Sequence, residues 1–517
     1  MLTRRHFIEQ IAATGGVSLA YESMHGLGLL AAGESAPFGL RGRVSGVRVA
    51  VVGGGIAGLT TAYELEKLGY TCHVLEARPR PGGRVHTVRR GTVSEEEGST
   101  QTCAYDDGQY FNPGPMRIAF HHDTTLAYCR ELGVPIEVFA VSADNAFFYP
   151  TKGTGLTNRR VRMREVRADI DGYVSELLSK ATSQNVLDDV LTKDDRQRLL
   201  DYLRGKGRLT AQGKYTGNLQ MRGPDEPSTA GTPGTVETAT PFALSDLLGS
   251  RMLNQVDLTY EYQPTMFQVV GGMDNLPKAI AARLKGSLTY NAAAREIRQH
   301  DNGVTVTYAD KGGTLRKLEA DYLVCAVPLP LLAEVDTDFT PEFKQLISSV
   351  PYAAAGKIGL QFKRRFWEED HQIFGGATKT DLDITQIVYP SYGYLGKKGT
   401  LVGYYLQGQS GRPIGETTPA ERLALALEQG GRIHPQYATE FDHAFSVAWH
   451  KVRWSKGSWS ATPPATKARL KEPQGRVYLA GDHLDLNAWM QGAFESARHV
   501  ATAIHARAGV TTRQRER

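Results

Sequence analysis

The chain has 517 residues, of which 41% are hydrophobic and 22% charged, with a mean hydropathy of −0.34. At roughly 150 residues per domain this allows about three domains, and it excludes a disordered tail, a fibrous repeat and a polytopic membrane protein. Sixty Lys and Arg against 55 Asp and Glu leave a net charge of +5, too weak and too dispersed to imply a nucleic-acid partner. Cys72, Cys103, Cys129 and Cys325 form no C-x-x-C pair. They read as isolated thiols, with neither a disulfide framework nor a metal-ligand spacing.

The chain opens with Thr3-Arg4-Arg5-His6-Phe7-Ile8 and an apolar stretch interrupted by Tyr21, Glu22 and His25. Paired arginines, an aromatic two places on and a following aliphatic resemble a twin-arginine export signal, with a processing site around Ala31-Ala32-Gly33. The stretch is too short and too interrupted for a membrane span. The expected location is therefore periplasmic or secreted, against a cytoplasmic protein with a frayed basic N-terminus.

Folded pattern begins at residues 47–52, an apolar run ending in glycines. A helical pattern follows through Leu59, Ala62, Tyr63, Leu65 and Leu68, stopped by Gly69. Residues 71–75 form a second strand with Glu76 at its end, completing a βαβ opening. The pattern is helical over 161–204, and 205–241 shifts to Gly, Thr and Pro, as in a loop or mobile insertion. Strand-like segments return at 303–308, 322–327 and 358–362. The last strand is 477–480, and a helix runs from Met490 to about residue 506.

Gly53-Gly54-Gly55-Ile56-Ala57-Gly58 satisfies G-x-G-x-x-G, a weak signal by itself in a chain with 55 glycines. Its context makes it specific, because it joins an apolar strand to a helix and has Glu76 eighteen residues after Gly58. Gly53 permits the tight turn, Gly55 lets a pyrophosphate reach the backbone, and Gly58 lets helix pack on strand. The N–H groups at the start of the helix, near Ile56 and Ala57, present partial positive charge to phosphates. Glu76, followed by Ala77, can accept hydrogen bonds from an adenosine ribose.

Directly after come Arg80-Pro81-Gly82-Gly83-Arg84-Val85, a glycine pair and arginine with no use in a nicotinamide site. At the far end stand Gly481-Asp482 on a strand end and Ala488-Trp489-Met490-Gln491 opening a helix. Between them lie Asn112-Pro113-Gly114-Pro115-Met116-Arg117-Ile118, Ala355-Gly356-Lys357-Ile358, Phe366-Trp367-Glu368-Glu369-Asp370 and Val388-Tyr389-Pro390. In this order the motifs resemble the flavin amine oxidase superfamily, and the G-P-M-R segment resembles its L-amino-acid oxidases. The likeness covers about residues 47–508 except 150–260. It departs at Gln491, where the family often carries Glu.

The resemblance implies an α/β fold: a Rossmann-like FAD-binding domain assembled from discontinuous segments, an inserted α+β substrate-binding domain and a helical subdomain. The implied division places the export signal and N-terminal segment in 1–45. FAD-binding parts occupy 46–105, 266–348 and 470–508, and substrate-binding parts 106–150, 250–265 and 349–469. A helical subdomain and loop fill 151–249, and 509–517 is a tail. FAD would touch Gly53, Gly55, Ile56, Ala57, Gly58, Glu76, Ala77, Gly83, Arg84, Gly114, Pro115, Met116, Arg117, Ala294, Gly481, Asp482, Trp489, Met490 and Gln491. Trp454-Ser455-Lys456-Gly457-Ser458-Trp459 resembles a segment where some monoamine oxidases attach flavin through cysteine. No cysteine is nearby, so noncovalent FAD is expected.

Lys357 and Arg117 take the implied catalytic roles, with Lys357 above the flavin holding a water. Arg117, Tyr389, Ala488 and Trp489 would bind substrate, because a guanidinium grips a carboxylate through two parallel, charge-assisted hydrogen bonds. The implied reaction is oxidative deamination of an L-amino acid by hydride transfer from Cα to the flavin, with O2 as the second substrate and hydrogen peroxide as a product. The rivals are an amino-acid 2-monooxygenase, a polyamine or monoamine oxidase and a non-catalytic flavin subunit. A homodimer is the expected assembly. Acids such as Asp225 and Glu226 in the unmatched region could equally favour a basic substrate or lie on a solvated loop.

Overall fold

The fold is described from a computed structural model for residues 38–184, 191–223, 230–231, 240–250, 252–255, 258–485 and 488–515. The Arg4-Arg5 motif, Asp225 and Glu226 lie outside these residues. A parallel five-stranded sheet takes strands from both ends of the chain, in the order Val477–Leu479, Tyr322–Cys325, Arg48–Val52, Thr71–Glu76, Ser287–Tyr290. Its central strand is apolar on both sides because both faces are covered. Val49 and Val51 pack under Leu59, Ala62 and Leu65 of helix Ile56–Lys67 and under Phe494, Val500 and Ile504 of helix Met490–Arg515. Ala50 and Val52 face the other way, onto Ile297, Val304 and Val306.

Those last three residues belong to a second sheet. Strands Ala293–His300, Gly303–Ala309 and Leu315–Ala320 pair antiparallel, and Asp336–Thr337 adds a parallel edge. A seven-stranded sheet has the order Phe441–Ala448, Gly356–Phe362, Gly399–Leu406, Gln386–Val388, Ala377–Thr380, Phe147–Tyr149, Val161–Arg162. Period-2 alternation divides its residues between two faces. Ile358, Leu360, Phe362, Tyr389 and Tyr404 share a core with Ala426 and Ile433 of helix Pro419–Ile433. Lys357 and its cross-strand partner Tyr405 lie on the opposite face.

The expected helical stretch over 161–204 is a short strand followed by two helices, Met163–Ser183 and Lys193–Gly207. Thr192 caps the second, its side chain accepting from the Asp195 N–H. The last helix is longer than its apolar pattern indicated, ending at Arg515 rather than near residue 506. All four cysteines are buried free thiols. Among the described residues no helix is long and apolar enough to cross a membrane.

Candidate active site

Segments distant in sequence converge on a cavity of about 410 Å³. Every residue expected to touch cofactor or substrate lines it, except Gly58, Tyr389 and Gln491.

On the cavity wall the first strand turns into its helix. Gly53 has φ +109°, which side-chain-bearing residues rarely adopt, and a Cβ there would meet the Ala326 carbonyl oxygen at 2.6 Å. A Cβ on Gly58 would come within 2.0 Å of the Gly53 carbonyl oxygen. Gly58 thus closes helix onto turn, away from the cavity wall. A Cβ on Gly55 would meet nothing within 4 Å, so the backbone at the helix N-cap faces open space. The 12-residue helix it caps has no acidic residue in its first turn to offset the positive end of its dipole. A helix start of this kind suits a pyrophosphate.

Glu76 pins the same turn. Its Oε2 accepts from the Gly54 N–H at 2.7 Å and its Oε1 from the Arg78 N–H at 2.8 Å. Further along, Arg84 donates to Asp482 at 2.5 Å and to the Ser458 carbonyl at 2.7 Å. Two residues expected to touch the cofactor thus pair with each other on the cavity wall. Trp454, Ser455, Ser458 and Trp459 also line the cavity, and none of its described lining residues is a cysteine.

Arg117 also lines the cavity. Among the described residues no acceptor lies within hydrogen-bond range of its guanidinium. It is packed instead against the rings of Tyr262, Trp489 and Phe139, at 4.6, 5.7 and 5.9 Å. Lys357 is buried beside it, with Nζ donating to the carbonyls of Gly114 at 2.5 Å and Asn112 at 3.3 Å and standing 4.4 Å from the Tyr405 ring centre. Burial first, and the neighbouring Arg117 charge second, hold the Lys357 ammonium well below the usual lysine range. The same two causes bring Lys379 down to about 8.

Two expected ligands are elsewhere. Tyr389 is on the helix-covered face of the seven-stranded sheet, opposite Lys357, where its hydroxyl meets Thr378 Oγ1 at 2.8 Å and His434 Nε2 at 2.7 Å. The tyrosines on the cavity wall are Tyr262 and Tyr405. Gln491 turns toward helix Asp123–Leu132, whose N-cap His122 makes no side-chain capping bond. Its Oε1 takes the orphan Thr125 N–H and the Thr125 hydroxyl, both at 3.0 Å, and its Nε2 donates to Asp123. Neither the tyrosine pair nor this competing helix end was marked by a local motif.

The family described as flavin containing amine oxidoreductase matches residues 56–505. The chain belongs to this family. Among curated relatives, the flavin-dependent L-tryptophan oxidase RebO of Lentzea aerocolonigenes is 29% identical over 487 residues, covering 89% of this chain and 98% of that one. An L-amino-acid oxidase of Pseudechis australis is 26% identical, with 91% of this chain and 89% of that one covered. Among solved structures, cyclohexylamine oxidase from Brevibacterium oxydans superposes with a TM-score of 0.57 at 17% identity, covering 89% of this chain and 98% of that chain. That likeness establishes the fold.

This amine oxidoreductase is therefore an FAD-dependent enzyme, and its cavity fits the cofactor. The open Gly55 backbone and the helix start suit the pyrophosphate, and Glu76 suits the ribose. Glu76→Ala is expected to lower the flavin content of purified protein, read as the ratio of flavin to protein absorbance. A full complement of flavin would remove Glu76 from that role.

Proposed function

We propose that this amine oxidoreductase carries out oxidative deamination of L-amino acids, with noncovalent FAD and O2, giving α-keto acid, ammonia and hydrogen peroxide. The observation that carries this reading is Arg117, a guanidinium in the cavity wall with no anionic partner among the described residues and with aromatic rings on its flanks. A simple amine gives such a group nothing to bind. An α-carboxylate satisfies two of its N–H donors at once. The names of the L-amino-acid and L-tryptophan oxidases among its relatives agree with this reading.

FAD supplies the two-electron chemistry, oxidising the Cα–N bond and returning the electrons to O2. The chain's own residues supply position and environment. Arg117 fixes the carboxylate, so that the Cα–H is presented in one orientation. Trp489 and Tyr262 wall off water around that contact, which strengthens it. Lys357, on the cavity wall beside Arg117, holds its proton less tightly than an ordinary lysine, which leaves it able to take one up.

The test is anaerobic mixing of the yellow holoenzyme with the twenty L-amino acids and a set of amines, followed by air and assays for peroxide and keto acid. Bleaching by amino acids, with peroxide and keto acid on reoxidation, is the expected result. Bleaching by amines alone would make it a plain amine oxidase. Reoxidation that yields the decarboxylated amide instead of peroxide would make it a monooxygenase.

A further inference from the structure

Arg117 is aimed by packing rather than by hydrogen bonds, so whatever sets its neighbouring rings sets the clamp. Two of those rings share a support on their outer side. His122, fully buried, meets the edge of Trp489 with ring centres 5.1 Å apart. Tyr262 closes the short turn Tyr260–Tyr262, and the middle residue of that turn, Glu261, reaches Nε2 of both His121 (3.3 Å) and His122 (3.7 Å). The first residue of the turn, Tyr260, stacks on His121 at 4.5 Å.

The three side chains bring possible ligand atoms within 4.8 Å of one another, yet the protons favour a carboxylate hydrogen-bonded by His121 and faced by the His122 ring over a metal site. The Ala119 N–H donates to His122 Nδ1 at 3.3 Å. The single proton of the neutral ring therefore sits on Nε2, toward Glu261, where a metal would need a bare nitrogen. Burial would raise the Glu261 carboxyl, but the neighbouring His121 and His122 rings outweigh it and bring it down to about 2. The carboxylate is thus charged and held from two sides.

We propose that Glu261 is a positioning residue for the carboxylate clamp: anchored by His121 and His122, it fixes the Tyr260–Tyr262 turn against Trp489 and so orients Arg117. This rests on the reading of Arg117 as the carboxylate-binding group. Glu261 itself touches neither Arg117 nor the cavity. Its effect passes through the two rings.

The experiment compares Glu261→Leu, Glu261→Gln, Arg117→Ala and the Arg117→Ala/Glu261→Leu double variant as holoenzymes. Each is measured for kcat and KM with the preferred amino acid and for benzoate binding by calorimetry. Glu261→Leu is expected to raise both KM and the benzoate Kd about tenfold while kcat stays within about twofold. Glu261→Gln, which keeps one acceptor, recovers part of the loss. In the double variant the Glu261 change adds nothing to Arg117→Ala, because it acts only through that residue.

Parent-like KM and benzoate Kd in Glu261→Gln and Glu261→Leu would overturn the proposal, as would full additivity with Arg117→Ala. If Glu261→Leu does not fold, Glu261→Gln combined with Arg117→Ala gives the same cycle. Arg117→Ala that binds benzoate like the parent would bring down the clamp reading itself, and this inference with it.

Discussion

Arg117→Ala raises the KM of every L-amino acid substrate by about 10- to 150-fold, the equivalent of losing ~1.5–3 kcal/mol of charge-assisted hydrogen bonding. The loss falls on the carboxylate and not on the side chain, so the factor is similar for large and small substrates. Flavin content is measured alongside, so that loss of cofactor is separated from loss of substrate affinity. Steady-state kinetics with several amino acids check it. An unchanged KM across that set would remove Arg117 from the substrate site. Arg117→Lys restores the charge but only part of the affinity, since an ammonium lacks the paired geometry of the guanidinium.

The second large effect concerns Lys357. Burial and the neighbouring Arg117 charge lower the proton affinity of both Lys357 and Lys379, and of the two it is Lys357 that lines the cavity, whereas burial pushes the Tyr405 hydroxyl up. An amino acid arrives as an ammonium and must shed a proton before its nitrogen can support the developing C=N bond. Lys357→Met is expected to slow anaerobic flavin reduction at saturating substrate by about 10²-fold, with a smaller change in KM. Stopped-flow absorbance measures this directly, and a parent-like reduction rate would leave Lys357 with a structural role only.

The same substitution carries a stability signature. The folded pKa of Lys357 lies below the ordinary lysine value of about 10.4, so between the two the unfolded chain binds more protons. The parent gains stability as pH rises through that interval, and Lys357→Met does not. The Tm of the variant minus that of the parent is therefore most positive at the acid end and shrinks toward pH 10. A difference that stays flat from pH 6 to 10 would contradict the depressed pKa.

What the sequence made legible was local. Gly53, Gly55, Gly58 and Glu76 act through a turn, a helix and a strand that are neighbours along the chain, and their spacing carried their geometry. Arg117, singled out by the motif around it, lies on the cavity wall. Tyr389 was misplaced because its face depends on strand pairing. In the seven-stranded sheet Lys357 stands opposite Tyr405 and Ile358 opposite Tyr404, and no spacing within one strand reveals which face a distant strand presents. Gln491 was misplaced for another reason: the unfilled donors of helix Asp123–Leu132 captured its amide. Strands Ala293–His300 and Leu315–Ala320 lacked a clear apolar alternation because much of their surface is exposed.

The parallel sheet has one further consequence, for how the enzyme is made. Its central strand ends at Val52, while its edge strand, Val477–Leu479, and the helix that covers it lie in the last 41 residues. The wall that receives the cofactor needs Gly481, Asp482 and Met490 as much as Gly55. A chain lacking the segment from Val477 onward holds only part of that wall, so flavin binding needs the two distant segments brought together. A truncation anywhere before residue 477 would leave a protein without colour.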